Sequence, residues 1–257
     1  MTTSTFALKV LDKKVNKGEI NMLRSIALIA VGTAIAALLV VLGAPTAHGQ
    51  HIGDIYCSDG QYRAPEEYNA ASGITAKGVV YWVSPTGENG ANRMVALKDA
   101  AKNVGWCGLD NKNTSVPGVQ EVGTDPTSMD PTTAHDVLGS AWCGKENTAA
   151  LRKAHTKEKP YPAAMAISEQ DLQDGWYLPS MAELLMLAAQ YRLVATALEA
   201  IAAKEPSAAE PMAQKIYYSS SIERQRKGAF YLSGSGYLAM DGDNYKNGTG
   251  VRAVRAF

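Results

Sequence analysis

The side chains able to do covalent or metal chemistry are few: three cysteines and four histidines in 257 residues. Cys107 and Cys143 each sit in a Trp-Cys-Gly tripeptide, Trp106-Cys107-Gly108 and Trp142-Cys143-Gly144. In an oxidising compartment a bridge between them would close the intervening loop and constrain the unfolded chain by about 3 to 4 kcal/mol. Three cysteines allow three pairings. The repeated tripeptide favours Cys107 with Cys143, leaving Cys57 odd, and a redox or copper-binding pair is the rival reading. His48, His51, His135 and His155 show neither H-x-x-x-H nor C-x-x-C spacing, so no metal site and no other cofactor is expected. His135-Asp136 has no nucleophile motif around it and reads as an exposed loop. Asp241 to Gly248 superficially resembles a calcium loop. However, Tyr245 and Lys246 fill the third-ligand and glycine positions, and Arg252 stands where a bidentate Glu is required. No catalytic residue is assigned, and no enzymatic activity is expected.

Recognition is the chemistry that remains. From Lys215 to Phe257 there are seven basic residues against three acidic, interleaved with tyrosines and turn residues. Tyrosine with Arg, Ser, Asn and Gly supplies rigid contact area and adaptable hydrogen bonds. The candidate binding residues are Tyr218, Arg224, Arg226, Lys227, Tyr231, Tyr237, Asn244, Tyr245 and Lys246. The same residues are also ordinary on strand faces.

The formal charge is zero, and the chain after residue 49 has 20 basic against 23 acidic residues, which gives no drive toward nucleic acid. Ile26 to Leu42 is an almost unbroken apolar run behind Arg24, followed by Ala47-His48-Gly49, a small-x-small pattern suited to signal peptidase. The reading is an N-terminal extension over 1–21, with Met22 as an alternative start, and a signal peptide over 22–49. A single exported domain follows over 50–257, in the periplasm, at the cell surface or secreted. An uncleaved membrane anchor through 26–42 is the alternative. The oligomeric state is open.

The elements that must position these residues centre on Gly175-Trp176-Tyr177-Leu178-Pro179-Ser180-Met181-Ala182-Glu183-Leu184. Pro179 keeps Leu178 extended, and Ser180 with Glu183 forms an S-x-x-E capping box. The periodicity predicts one helix running through Leu184, Leu187, Tyr191, Val194, Leu198 and Ile201. Another helix is predicted over Glu146 to His155. Gly78 to Val83 reads as a buried strand with Arg93 to Leu97 as its hairpin partner, and Leu109 to Gly139 as a long loop. Short strands are predicted at Ile216–Ser221, Ala229–Leu232, Tyr237–Met240 and Gly250–Phe257. Strands at both ends around central helices argue α+β: mixed short-stranded sheets, two main helices and long loops.

Gly53-Asp54 with Ser58-Asp59-Gly60, Gly78 to Val83, Val95 to Asp99, Asn147-Thr148, the Gly175 to Ser180 block with Glu183-Leu184, Tyr218-Ser219-Ser220 and the terminal Val251 to Phe257 resemble the Lcl C-terminal domain family. The resemblance implies a fold similar to C-type lectins and to the formylglycine-generating enzyme, with both chain ends in one sheet. It implies adhesion through a surface glycan or protein ligand, since the family's namesake is a collagen-like adhesin that binds sulfated glycans. This chain lacks the collagen-like repeats and the lectin calcium signatures E-P-N, Q-P-D and W-N-D. The alternatives are an exported enzyme related to formylglycine-generating enzymes, or a subunit of a surface filament. In the terminal strand the resemblance implies alternate burial with Phe257 inside.

Overall fold

The computed structural model describes residues 50–86, 91–108, 114–122, 142–212, 217–223, 229–232, 238–241 and 249–257. Of the expectations above, those on residues 1–49 and most of the 109–139 loop lie outside the described residues. The architecture is mixed α+β, with two antiparallel or mixed sheets and few helices.

The first sheet is six-stranded. It is built from β1 (Ile55–Cys57), β2 (Tyr62–Arg63), β3 (Ala76–Trp82), β4 (Arg93–Val95), β7 (Trp176–Tyr177) and β12 (Val254–Ala256). Its order is β2-β1-β3-β4-β12-β7, so strands from both ends of the described chain share it. The hairpin of β3 with β4 forms as the β-branched and aromatic run predicts. Side chains alternate across each strand, and the register therefore sorts them into two rows. Ile55, Val79, Val95, Val254 and Tyr177 are consecutive partners on the inner face, and all are buried in one core cluster. On the outer face Tyr62, Tyr56 and Gly78 are partners, as are Val80, Met94, Arg255 and Trp176.

The second sheet comprises β5 (Ala101–Val104), β6 (Glu121–Val122), β8 (Tyr217–Glu223), β9 (Ala229–Leu232), β10 (Leu238–Asp241) and β11 (Thr249–Val251). Its order is β10-β9-β8-β11-β5, with β6 beside β8; β8 runs parallel to both β6 and β11. The predicted terminal strand is thus two strands in two sheets. Arg252 and Ala253 carry the chain from one sheet to the other, and Val251 through Val254 are buried without alternation.

The chain changes sheet around a buried arginine. Arg252 is 1% exposed; its Nε donates to Asp99 Oδ1 at 2.6 Å. Its Nη1 donates to the carbonyls of Ala96, Leu97 and Glu210, each at 3.2 Å. A buried charge is tolerated only with such pairing and saturation of its donors.

Among the described residues the helices are α1 (Gly144–Ala154), α2 (Pro162–Met165), α3 (Glu169–Gln173), α4 (Met181–Ala189) and α5 (Tyr191–Lys204). The single helix expected after Pro179 is instead α4 and α5, bent by 75° at Gln190. The bend lets Leu184 and Leu187 on one side and Val194, Leu198 and Ile201 on the other bury in the same core cluster. Apolar periodicity continues across it and so does not reveal it. No single helix among the described residues is long and apolar enough to cross a membrane.

The capping box opens α4 as predicted: Ser180 N donates to Glu183 Oε2 at 2.8 Å, and Glu183 N donates to Ser180 Oγ at 3.4 Å. Glu183 is fully buried and also accepts from Arg93 Nε and Tyr177 Oη, both at 2.7 Å. Gly144 is pressed against this junction. A Cβ there would stand 2.7 Å from Ser180 N and 2.8 Å from Leu178 O, with Glu183 Oε2 nearer still.

Candidate functional site

Consecutive side chains of the organising stretch go to different sides. Tyr177 faces the first core, Leu178 faces a second core shared with Trp106, Leu151 and Ile222, and Trp176 lies half-buried on the outer face of the first sheet, packed partly against that second core. There Trp176 walls a groove of about 460 Å³. Tyr56, Cys57 and Ser58 of the β1 end, Lys77 of β3, Gln173 and Asp174 at the end of α3, and Arg255 of β12 form the rest of the lining.

Two glycines shape it. The Trp176 ring covers Gly78: Trp176 Cη2 lies 3.1 Å from where a Cβ on Gly78 would stand. Gly175 has φ +87°, a left-handed conformation that favours glycine, and Arg255 lies over it, its Nε 3.5 Å from where a Cβ would stand. Arg255 is also the register partner of Trp176. The indole and the guanidinium are therefore set side by side by strand pairing.

Lys77 is exposed and Arg255 half-buried, and neither makes an ion pair among the described residues. Asp174, the one carboxylate in the lining among the described residues, accepts from Gln170 Nε2 at 3.1 Å. Tyr56 leads to Tyr62 (ring centroids 5.2 Å apart), and Tyr62 stacks on Phe257 at 5.6 Å. Burial pushes the Tyr62 phenol up to about 12, with Tyr56 adding to the shift and Arg255 opposing it. The Cys57 thiol is raised by burial, against an opposing hydrogen bond from Arg63. Beside it Arg63 forks onto Asp59 at 2.9 and 2.5 Å, and this pairing holds Asp59 down at about 2. Arg63 is thus committed, whereas Lys77 and Arg255 have no such partner among the described residues.

Of the residues singled out by sequence, Tyr218 and Tyr231 are described, and neither lines the groove. Tyr218 is 3% exposed and packed in the second core, a correction to its candidacy as a contact residue. It stays inside because β8 carries it opposite Tyr231 in mid-sheet. Tyr231 lies on β9, between Tyr218 and Ala239. Arg224, Arg226, Lys227, Tyr237, Asn244, Tyr245 and Lys246 lie outside the described residues. Trp176 packs partly against the second core and presents the rest of its ring to the groove.

Cys57, Cys107 and Cys143 are free thiols, so the expected bridge of Cys107 with Cys143 is not present in the structure. Cys107 is sealed in the second core, while Cys143 precedes α1 and its Sγ donates to Gln120 Oε1 at 3.2 Å. Burial is the main cause raising each of the two to about 11. His155 Nδ1 accepts from Tyr161 N at 3.0 Å, and His51 is exposed beside Asp54 at 3.5 Å. Phe257 is half-buried rather than inside, because β12 ends at Ala256 and leaves the Phe257 ring to stack on Tyr62. Among the described residues no group of three His, Cys, Asp or Glu could hold a metal ion.

Sequence reasoning missed Lys77, Gln173, Asp174 and Arg255, which come from three separate parts of the chain. The available signal was alternation: Arg255 follows inward Val254, and Trp176 precedes inward Tyr177. Comparison with family models, with curated proteins and with solved structures finds no match for this chain.

Proposed function

We propose that this chain is a non-enzymatic binding module working outside the cytoplasm, recognising a surface glycan or protein through the groove at Trp176. The observation that carries this reading is the lining itself: two half-buried aromatic rings beside two cations without ion-pair partners among the described residues. Pockets that combine ring surface with a few convergent polar groups are the usual form of ligand sites. The raised thiols of Cys107 and Cys143 favour binding over thiol or copper chemistry, since both need the thiolate.

The architecture we propose is C-type-lectin-like, in a divergent member of the Lcl C-terminal domain family. Its support is the sharing of one sheet by strands from both ends of the described chain, and the Gly175 to Ser180 block at the strand-to-helix junction. Export is supported by the apolar run of 26–42 and Ala47-His48-Gly49. The test is a glycan and protein ligand array probed with the full chain, then with Lys77→Ala and Arg255→Ala. Retained ligand that both substitutions weaken at unchanged melting temperature supports the reading. Ligand retained equally by both variants refutes the groove as its site.

A further inference from the structure

We propose that the groove takes a carboxylate-bearing sugar unit, its ring laid on Trp176 and its carboxylate held between Arg255 and Lys77. This rests on the binding-module reading of the same groove.

Among the described residues the charge in the groove is unbalanced. Lys77 and Arg255 face one carboxylate, Asp174, and neither pairs with it within salt-bridge distance. A ligand carrying one negative charge per unit completes the set. Arg255 suits a carboxylate because its planar fork can donate two parallel hydrogen bonds, and here its stem is already placed against Gly175 and beside Trp176, so little side-chain freedom remains to be lost. Trp176 is held by its contact over Gly78 and its packing against the second core, and its remaining ring surface is a preset aromatic wall of the groove. Ser58, Gln173 and Asp174 offer short donors and acceptors at the rim, matched to ring hydroxyls.

An extended peptide fits less well. Peptide capture at a sheet uses a free strand edge; β1, β3 and β12, which carry Tyr56, Lys77 and Arg255, are paired on both sides, and the edge strand β7 is only the two residues Trp176–Tyr177, too short for a ladder. The groove offers side chains where a peptide backbone would need a ladder.

The experiment titrates the full chain with uronic acid trisaccharides (galacturonate and glucuronate series), their carboxyl-reduced neutral counterparts, a sulfated neutral trisaccharide and an acetylated acidic hexapeptide. Tryptophan fluorescence and calorimetry are the readouts. At least one uronate should bind about tenfold or more tightly than its reduced form. Arg255→Gln and Lys77→Gln should each collapse that ratio without moving the melting temperature, and added salt should lower it. Equal affinity for the reduced sugars overturns the carboxylate assignment and leaves the glycan reading standing. Tighter binding of the sulfated sugar or the peptide overturns the carboxylated sugar as ligand class. Failure of every saccharide, with a protein ligand captured irrespective of Lys77 and Arg255, overturns the groove as the binding site as well.

Discussion

Trp176 Cη2 lies 3.1 Å from the point where a side chain on Gly78 would begin, so the aromatic wall of the groove is set by the absence of that side chain. Met94 Sδ and Val95 O crowd the same point at 3.0 and 3.1 Å. Alanine in a strand would ordinarily gain over glycine, but here its methyl must push the indole aside. Gly78→Ala should lower the melting temperature and shift tryptophan emission. The drop should shrink in a Trp176→Ala background, as a double-mutant cycle would reveal. Additive effects would mean that the two residues do not constrain each other.

Gly144→Ala should be the more damaging glycine substitution. Its methyl would meet backbone atoms of Leu178 and Ser180 and the buried carboxylate of Glu183, none of which is a flexible side-chain end. Overpacking of this kind costs about 1 to 3 kcal/mol. Chemical denaturation measures it, and an unchanged midpoint would place α1 further from the capping box.

Arg252→Lys should destabilise despite keeping the charge. One ammonium cannot reach Asp99 and the carbonyls of Ala96, Leu97 and Glu210 together, so buried acceptors lose their donor. The expected loss is about 1 to 3 kcal/mol, the cost of leaving a buried acceptor unsatisfied. A variant as stable as the parent would show that the crossover between sheets does not depend on this fan of hydrogen bonds.

Phe257→Ala should cost little. The ring is half-buried and stacked on Tyr62, and an aromatic pair of this kind contributes about 0.5 to 1.5 kcal/mol beyond its area. A loss of several kcal/mol would return Phe257 to the core position that the resemblance implies.

The thiols make stability depend on alkaline pH. Cys107 and Cys143 are raised to about 11 from an ordinary thiol value near 9. Between those values the folded chain holds protons that the unfolded chain has released. Their contribution is therefore fully present below pH 9 and is lost as pH rises toward about 11. Thermal melts across that window should fall, less so in Cys107→Ala and Cys143→Ala, and thiol titration of the native chain at neutral pH should be slow. A peptide map with Cys107 linked to Cys143 would contradict the free-thiol arrangement.

Local features of the fold were readable because their causes are local. Ser180 and Glu183 announce the cap, and the β-branched run before Pro85 announces β3. The bend at Gln190 and the split of the terminal strand at Arg252 were not, since tertiary packing imposes both: the apolar rhythm is intact across one, and Val251 and Val254 look like one strand across the other. The groove was illegible for a related reason. Lys77, Trp176 and Arg255 share no local motif and meet only through the strand order β3-β4-β12-β7.

The most direct measurement is ligand retention by the full chain and by Lys77→Ala, Arg255→Ala and the paired Arg224→Ala with Arg226→Ala, each first matched for melting temperature. The groove account predicts that the Lys77 and Arg255 variants lose most of the retained ligand while the Arg224 with Arg226 variant keeps it. Loss confined to the Arg224 with Arg226 variant would contradict it and move recognition to the segment after β8.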